Sequence, residues 1–377
     1  MAIREIGYYS AVTTPAVSDE FLCQKNGTSQ KTTTTEILDA ISDFTQYDKD
    51  DLIASGIVMG TQSDAQVKIS LAQIIAYAKL IAYGMIYGGY TTSMITNCEA
   101  WNVNSEAWTT KEPLNPARCA LAAMTISNKG YICGGGDPDS ETLYKDCDAY
   151  TFGSPGTWTG KTDLLSKKHF LAASTISGKG YVYGGRYDAS GSYPKTDDID
   201  EYNATDNTWV HISDLTQARY TLASSTIGDK GYIFGGTAAT GIVSTCDRYN
   251  PVTTVCDVIK PLLRSRSGHS ASTVKNKAYI ISGYVKTSSG STMFSDIDEY
   301  DPETDSWIDK SSLGSARVRH AQTTILNTIH ITGGYRNTLT LSNAHFYYNP
   351  ITNSSGYFAS GYLTLARSDH AASSLHS

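Results

Sequence analysis

Six short runs of alternating apolar residues, each ending in a pair of small residues, recur along most of the chain. Such alternation is typical of β-strands, whose side chains point by turns to the two faces of a sheet. The small pairs begin at intervals of 46 to 51 residues. The runs read GMIYGGY at 84–90, GYICGGG at 130–136, GYVYGGR at 180–186, GYIFGGT at 231–237, AYIISGY at 278–284 and IHITGGY at 329–335. The pattern predicts a repeat protein built of β-strands.

Other markers keep the same interval. A basic residue precedes a strand of small residues at Arg118, Lys168, Arg219, Arg266, Arg317 and Arg367. An aromatic residue follows each small pair at Trp101, Tyr150, Tyr202, Tyr249, Tyr300 and Tyr348. A tryptophan comes seven or eight residues later at Trp108, Trp158, Trp209 and Trp307, but not in the copies around Cys256 and Ser355. Each copy divides into four strand-like runs that are separated by turn residues.

A four-stranded unit of about 50 residues cannot bury both of its faces alone, but six units stacked radially can, and that arrangement is a propeller. The double glycine, the separated Tyr and Trp, and the Arg before a His-Ala or Leu-Ala strand resemble the repeat of the kelch family over residues 80–377. This resemblance implies an all-β, six-bladed propeller. It implies no particular function, since kelch propellers have many.

The ends of the repeat array predict how the ring closes. The first copy begins at its second strand, near Tyr83, and no strand of small residues precedes it. The missing strand is present at the other end of the array, in LTLARSDHAASSLHS at 363–377. We therefore expect the C-terminal strand to pair with residues 84–89, which would remove an open sheet edge. The chain would then end where closure is complete.

Residues 1–79 carry a different repeat and are expected to form a separate domain. EFLCQKNGTSQKTTTTEILDAI at 20–41 aligns without gaps on IVMGTQSDAQVKISLAQIIAYA at 57–78. Each copy predicts a strand, a polar turn and a short helix that begins with a capping box, Thr33 to Glu36 or Ser70 to Gln73. The segment resembles small N-terminal modules of bacteriophage tail, appendage and head-fibre proteins, which implies attachment to a virion. A small α+β domain of other use is the alternative.

Composition excludes several classes of function. The net charge of −7 argues against nucleic acid as a partner, because binding phosphates requires a basic surface. No apolar run approaches the roughly 20 residues of a membrane helix, and the sequence MAIREIGYYS contains no apolar signal region. Seven cysteines without a CxxC motif predict buried thiols rather than a disulfide framework or a zinc site.

No catalytic or metal-binding motif stands out, so we expect neither enzyme activity nor a cofactor. The eight histidines have no compact ligand spacing, and His269, His320 and His370 occupy the same repeat position, which favours a packing role. Nucleophile elbows and phosphate-binding loops are absent from the sequence. The paired acids Asp197-Asp198 and Asp200-Glu201 lie beside a predicted strand and are expected to be solvated.

One face of the propeller is the predicted ligand-binding face. Because neighbouring strands are antiparallel, the six basic residues should lie beside the residues that follow the small pairs. The candidate face comprises Arg118, Lys168, Arg219, Arg266, Arg317, Arg367, Tyr90, Arg186, Tyr284 and Tyr335. Cations flanked by tyrosines suit an acidic or polyhydroxylated partner. The alternative is internal pairing with the acids that recur two residues before the repeat aromatic, at Glu99, Asp148, Asp200, Asp247 and Asp298.

Together these patterns favour a non-enzymatic virion protein of a bacteriophage, assembled in the host cytoplasm. Residues 1–79 would bind other virion proteins, and the propeller would present its face to a host-surface glycan or protein, within a symmetric assembly. One alternative is an intracellular kelch adaptor that binds an acidic protein segment. The other is a carbohydrate-active or oxidative kelch enzyme, for which the sequence offers no site.

Overall fold

The computed structural model describes residues 5–7, 20–25, 28–33, 58–60, 66–68, 82–137, 142–188, 193–288, 290–336, 340–359 and 361–376. These residues are all β, as the sequence predicts, and contain no helix. A helix long and apolar enough to span a membrane is accordingly not found among them. The chain divides into two compact units, Met1–Ala82 with Ser377, and Tyr83–His376.

The second unit is a propeller of six antiparallel four-stranded blades, which confirms the predicted architecture. The strands of each blade are given from the innermost to the outermost. The first blade comprises Ala371–His376, Ala82–Tyr87, Cys98–Asn102 and Ala107–Lys111, and the second comprises Ala122–Ile126, Lys129–Cys133, Cys147–Thr151 and Thr157–Gly160. The third comprises Ala172–Ile176, Lys179–Tyr183, Asp198–Asn203 and Thr208–Asp214, and the fourth comprises Ala223–Ile227, Lys230–Phe234, Cys246–Asn250 and Val255–Ile259. The fifth comprises Ser270–Val274, Lys277–Ile281, Ile297–Asp301 and Ser306–Asp309, and the sixth comprises Ala321–Ile325, Thr328–Thr332, His345–Asn349 and Ser354–Tyr357. The strand named first in each blade contacts its counterparts in both neighbouring blades, so these six strands form a closed inner circle.

Short two-stranded ribbons extend five of the blades beyond the small pairs. They join Gly136–Asp137 to Thr142–Leu143, Lys168–His169 to Arg186–Tyr187, Thr237–Ala238 to Gly241–Ile242, Tyr284–Thr287 to Gly290–Met293, and Arg317–Val318 to Tyr335–Arg336. The ribbons lie at the end of the propeller where each innermost strand starts and its neighbour ends.

The C-terminal strand closes the ring as predicted. Ala371–His376 is the innermost strand of the first blade and pairs with Ala82–Tyr87. The Tyr90 amide donates to the Ser368 carbonyl at 2.9 Å, and the Tyr87 and Ser373 hydroxyls are hydrogen-bonded at 2.9 Å. Strands from the two ends of the sequence therefore share one sheet.

The small pairs allow consecutive blades to approach closely. The first residue of each pair has a left-handed φ between 51° and 64°, including Ser282 in the fifth blade. At Gly184 a Cβ would lie 2.5 Å from the carbonyl oxygen of Arg219 in the next blade. The amide of the second glycine, Gly185, donates to that same carbonyl at 2.8 Å. Glycine is favoured here because a Cβ would both strain the backbone and lie too close to this carbonyl oxygen.

The repeat tyrosines and tryptophans fill the space between blades, and all six repeat aromatics are buried. Trp209 packs on Tyr202 at 4.9 Å between ring centres, and its indole N–H donates to the Thr162 carbonyl in the connection from the preceding blade. In the sixth blade Ser355 takes the tryptophan position and donates its hydroxyl to the Ser312 carbonyl at 2.7 Å. The serine thus keeps the link between blades, although it cannot supply the packing of an indole.

Hydroxyl groups satisfy backbone carbonyls along the innermost strands. Thr125 Oγ1 donates to the carbonyl of Ser374 at 3.0 Å, Thr175 Oγ1 to that of Thr125 at 2.7 Å, and Thr226 Oγ1 to that of Thr175 at 2.7 Å. An innermost strand has no neighbouring strand on its axial side, so these carbonyls would otherwise lack a protein donor.

The first unit contains a sheet of Glu5–Gly7, Glu20–Lys25 and Thr28–Thr33, and a hairpin of Val58–Gly60 and Gln66–Lys68. The hairpins at 20–33 and 58–68 lie one in each copy of the 37-residue repeat, with pairing registers that differ by one residue. The second arm of each hairpin was not predicted. The helices expected after Thr33 and Ser70 lie outside the described residues.

The cysteines depart in one respect from the expectation of thiols alone. Cys133 and Cys147 lie directly opposite each other on neighbouring strands of the second blade and are joined as a disulfide. Cys98, Cys119 and Cys246 are buried thiols, as expected. Two of these, Cys98 and Cys246, have a pKa raised to about 12 by burial, so they are inert thiols.

Candidate functional site

The six basic residues of the predicted face are buried rather than exposed to solvent. Lys168 is 1% exposed and the five arginines are 0% exposed. In five blades the cation pairs with the recurring acid of its own blade. The pairs are Arg118 with Asp148, Lys168 with Asp200, Arg219 with Asp247, Arg266 with Asp298, and Arg367 with Glu99.

This burial corrects the expectation of a solvent-facing ring of cations. The alternative, internal pairing with the recurring acids, is the arrangement that the structure contains. Each pair also connects two parts of a blade: Arg118 Nη1 donates to the carbonyls of Gly134 and Asp146 while Nη2 binds Asp148. Removing one partner of such a buried pair costs about 3–5 kcal/mol, so these residues have a structural role.

The residues after the small pairs do lie beside the basic segments, as predicted. Tyr90 pairs with Ser368, Arg186 with His169, Tyr284 with Ser267 and Tyr335 with Val318. The side chains of these four predicted residues are half-buried, so part of each faces solvent. They remain candidates for ligand contact after the six buried cations are set aside.

A closed ring of backbone hydrogen bonds surrounds the channel mouth, where the inner strands begin. Two residues after each basic residue, the backbone adopts a left-handed φ between 51° and 60°. The amide of each such residue donates to the carbonyl of its counterpart in the preceding blade, at 2.8–3.1 Å. The six residues are Ala120, Phe170, Thr221, Gly268, Arg319 and Asp369. We call them the mouth ring.

One arginine of the mouth ring contacts an aromatic ring on the far side of the mouth and a carboxylate of the next blade. The Arg319 guanidinium lies 5.1 Å from the ring centre of Phe170, three blades away, and forms an ion pair with Asp369 at 3.5 Å. Asp369 raises the pKa of Arg319, with smaller contributions from Tyr284 and Tyr335. Burial raises the pKa of Asp369 in spite of Arg319. Arg319 therefore extends across the mouth.

A second group of cations and aromatic rings lies beside the mouth ring. Arg186 is 5.7 Å from the ring centre of Tyr193 and 5.4 Å from that of Tyr220, and its Nε donates to the Tyr193 carbonyl at 2.8 Å. Lys195 lies 5.7 Å from the Tyr220 ring centre. Burial, with the charges of Arg186 and Arg319, lowers the pKa of His169 to about 4, so this neighbour is neutral at pH 7.

Sequence reasoning missed Phe170, Tyr220, Arg319 and Asp369. One sequence feature could have indicated the mouth ring. Its position carries a different residue type in each of the six repeats, although the repeat is otherwise regular. A position that is fixed by the backbone but free in its side chain is a suitable place for recognition residues.

Comparison with known proteins places the fold. The profile of the Attractin/LZTR1 beta-propeller family matches residues 161–353, slightly more than half of the chain. The chain belongs to this family. The match covers the whole of the third, fourth and fifth blades and extends into the sixth. It does not reach residues 1–79, so the role predicted for them stays a prediction.

The solved structure of YjhT superposes on this chain with a TM-score of 0.62 and 13% sequence identity. The superposition covers 72% of this chain and 96% of that one. At this identity it shows the shared propeller fold alone. No curated protein matches the sequence. The prediction that this member of the Attractin/LZTR1 beta-propeller family is not an enzyme therefore stays a prediction.

One group of side chains in the third blade has the composition of a metal site. The ligand atoms of Asp198, His211 and Asp214 lie within 4.8 Å of one another. The Lys168 ammonium, however, is 2.7 Å from Asp198 Oδ2 and also from Asp200 Oδ2. A buried cation already neutralises this part of the cluster, so the group is better described as an extension of the Lys168–Asp200 pair.

The repeated histidines take part in packing between blades. His269 Nε2 lies 3.1 Å from the Phe234 carbonyl, and His370 Nε2 lies 2.9 Å from Thr332 Oγ1. Burial lowers the pKa of His269 to about 3 and that of His370 well below its usual value. Both are neutral at pH 7, in agreement with the packing role predicted for them.

Proposed function

We propose that this protein is a non-enzymatic binding protein whose propeller recognises its partner at the channel mouth. The observation that carries the proposal is the meeting of Arg319, Phe170 and Asp369 across the mouth, with Arg186, Lys195 and Tyr220 beside it. Phe170, Arg319 and Asp369 take their positions from the mouth ring, whose backbone is fixed by hydrogen bonds between blades. Arg186, Lys195 and Tyr220 are held by short backbone pairings beside it.

Acidic or polyhydroxylated groups fit this chemistry. Guanidinium groups hydrogen-bond carboxylates and hydroxyls, and half-exposed tyrosines offer flat surfaces with a hydroxyl at the edge. The candidates Tyr90, Arg186, Tyr284 and Tyr335 border the same mouth. A glycan or an acidic protein segment is therefore the partner class that we propose.

A glycan array together with a library of acidic peptides tests this proposal. We expect binding that the substitution Arg186→Ala weakens at least tenfold, because the guanidinium between Tyr193 and Tyr220 would be lost. Lys129→Ala is the matched control, since Lys129 is an exposed cation at the opposite end of the second blade. Binding that survives Arg186→Ala would place recognition elsewhere, and peptide hits alone would favour the adaptor function.

We further propose that residues 1–79 attach the protein to a bacteriophage virion, in a tail, appendage or fibre. Support comes from the duplicated hairpins at 20–33 and 58–68 and from the resemblance of this segment to phage attachment modules. Mass spectrometry of purified particles provides the test. We expect the chain in the particles, and its loss from them when residues 1–79 are deleted. A chain found only in the infected cytoplasm would contradict the attachment role.

A further inference from the structure

The sixth blade and its flanking connections are depleted of acidic residues. Residues 310–368 contain five cations but neither aspartate nor glutamate, although the whole chain has a net charge of −7. The cations are Lys310, Arg317, Arg319, Arg336 and Arg367. Any carboxylate that neutralises them must come from another blade or from a ligand.

Three of the five cations find acids in neighbouring blades. Lys310 pairs with Glu299 at 3.1 Å, Arg319 with Asp369, and Arg367 with Glu99. Arg317 and Arg336 have no carboxylate partner in the part of the chain that the structure describes. These two arginines are therefore the unmatched charges of the blade.

Arg317 is the repeat cation of the sixth blade, and its usual partner is missing. Phe346 stands where the other blades carry the acid, and the Arg317 guanidinium lies 4.1 Å from its ring centre. Nη1 donates to the Gly333 carbonyl at 2.6 Å, but Nε and Nη2 have no acceptor among the described residues. Arg317 is 0% exposed, and a single cation–π contact does not offset the hydration that a buried guanidinium loses.

The guanidinium of Arg336 lies near that of Arg317. It lies directly opposite Arg317 in the two-stranded ribbon, so both side chains leave the same face. Like charges in such a pair repel each other. Burial and the charge of Arg336 lower the pKa of Arg317 to about 10. An anion between the two guanidiniums would relieve the repulsion.

A pocket of about 270 Å³ adjoins this pair. Arg336 and Phe346 are both in its wall, with Asn343, Phe358 and Tyr362 around the remainder. Phe346 thus separates the pocket from Arg317. The walls combine aromatic surface with few polar groups, which is the usual composition of a small-molecule site.

We propose that this pocket binds a small carboxylate with a ring-shaped or apolar body. The carboxylate accepts hydrogen bonds from Arg336 and, once the Phe346 ring rotates, from Nη2 of Arg317. It takes the place that an aspartate or glutamate holds in the other five blades. The body of the ligand packs against Phe358 and Tyr362. This site is separate from the channel mouth and does not depend on the function proposed above.

Thermal unfolding of the full chain with four probes tests the site. Benzoate combines a carboxylate with a ring, benzamide is its uncharged isostere, acetate lacks the ring, and inorganic phosphate is an anion of another class. We expect millimolar benzoate to raise the melting temperature by a few degrees, acetate by less, and benzamide and phosphate not at all. An equal shift with benzamide, a shift with phosphate alone, or no shift with benzoate would overturn the proposal.

Two variants connect the effect to the pocket. Arg336→Gln removes the exposed guanidinium and should weaken benzoate binding at least tenfold. Arg248→Gln, a change at a half-buried arginine of the fourth blade, should not. Phe346→Asp restores the acid of the other blades, so it should keep or raise stability while abolishing the benzoate effect. Undiminished benzoate stabilisation in Phe346→Asp would show that Arg317 is not the anion's partner.

Discussion

Single atoms decide how closely two blades of this propeller approach. The first position of each small pair has a left-handed φ, and Cβ atoms at Gly134 and Gly184 would lie 2.5 Å from a carbonyl of the next blade. Ser282 occupies the equivalent position with a φ of 59°, and its buried hydroxyl has no partner among the described residues. Strain of about 1–3 kcal/mol is expected at a non-glycine residue with this conformation. In the fifth blade the Gly283 amide still donates to the Arg317 carbonyl at 2.9 Å, so the bond between blades is kept.

Buried histidine makes the propeller sensitive to acid. Burial lowers the pKa of His269 from 6.5 to about 3 in the folded chain. Between these pH values the histidine is protonated in the unfolded chain but neutral in the folded chain. Stability is therefore complete above about pH 6.5 and is lost as the pH falls towards 3. Leucine stands at this position in the second, third and fourth blades. We expect His269→Leu to remove about 2 kcal/mol of the stability difference between roughly pH 7.5 and pH 5.

Urea unfolding at the two pH values measures this difference in both proteins, and the comparison is independent of any change in stability at neutral pH. If His269→Leu and the natural sequence lost the same free energy on acidification, protonation of this histidine would not be coupled to unfolding.

The residue scale also shows where sequence reasoning reaches its limit. Both partners of the Arg219–Asp247 pair could be located in the sequence by their repeat positions, and internal pairing was the alternative to ligand binding. Only closure of the blades determines that both side chains are 0% exposed. The spacing of the repeats predicts which residues occupy equivalent positions, but it does not predict how exposed their side chains are to solvent.

Strands and their pairing were the most predictable level. Alternating apolar runs and turn residues located the strands, and the missing strand of the first copy indicated that Ala371–His376 would supply it. The ribbon of Arg317–Val318 and Tyr335–Arg336 was not predicted, because two-residue strands carry no periodic signal. The second arms of the N-terminal hairpins were missed because polar residues such as Thr28–Thr33 are read as a turn.

Closure by one strand predicts a specific failure when that strand is removed. Deleting residues 366–377 takes away the partner of Ala82–Tyr87, the Tyr87–Ser373 hydrogen bond and the Arg367–Glu99 ion pair. The exposed edge of Ala82–Tyr87 would then be free to pair with another chain. We expect lower solubility and concentration-dependent association, measured by analytical ultracentrifugation.

Deletion of Ser377 alone provides the control for closure, because the pairing strand ends at His376. A synthetic peptide of residues 363–377, added to the truncated chain, should restore a monodisperse species. If the truncated protein stayed soluble and monomeric without the peptide, the first blade would not need its innermost strand, Ala371–His376.

At the scale of the whole molecule, six equivalent positions form one closed circuit. Each mouth-ring amide bonds to the preceding blade, and the amide of Ala120 bonds to the carbonyl of Asp369, which joins the second blade to the C-terminal strand. This circuit was beyond sequence reasoning, since its residues share a backbone conformation and no side chain. Breaking one of its bonds requires two blades to separate, and neighbouring blades are held by tyrosine and tryptophan contacts.

The circuit therefore predicts that the mouth ring opens as a unit. The amides of Ala120, Phe170, Thr221, Gly268, Arg319 and Asp369 should exchange with deuterium only on global unfolding and with one common free energy. Amide exchange followed by mass spectrometry measures this, with the exposed loop residues 92–93 as fast-exchanging references. Earlier exchange at Ala120 and Asp369 than at the other four would show that the ring opens first where the two ends of the propeller meet. Equal protection of all six amides would instead mean that the contact between the first and second blades, where the two ends of the propeller meet, is as stable as the contacts between the other blades.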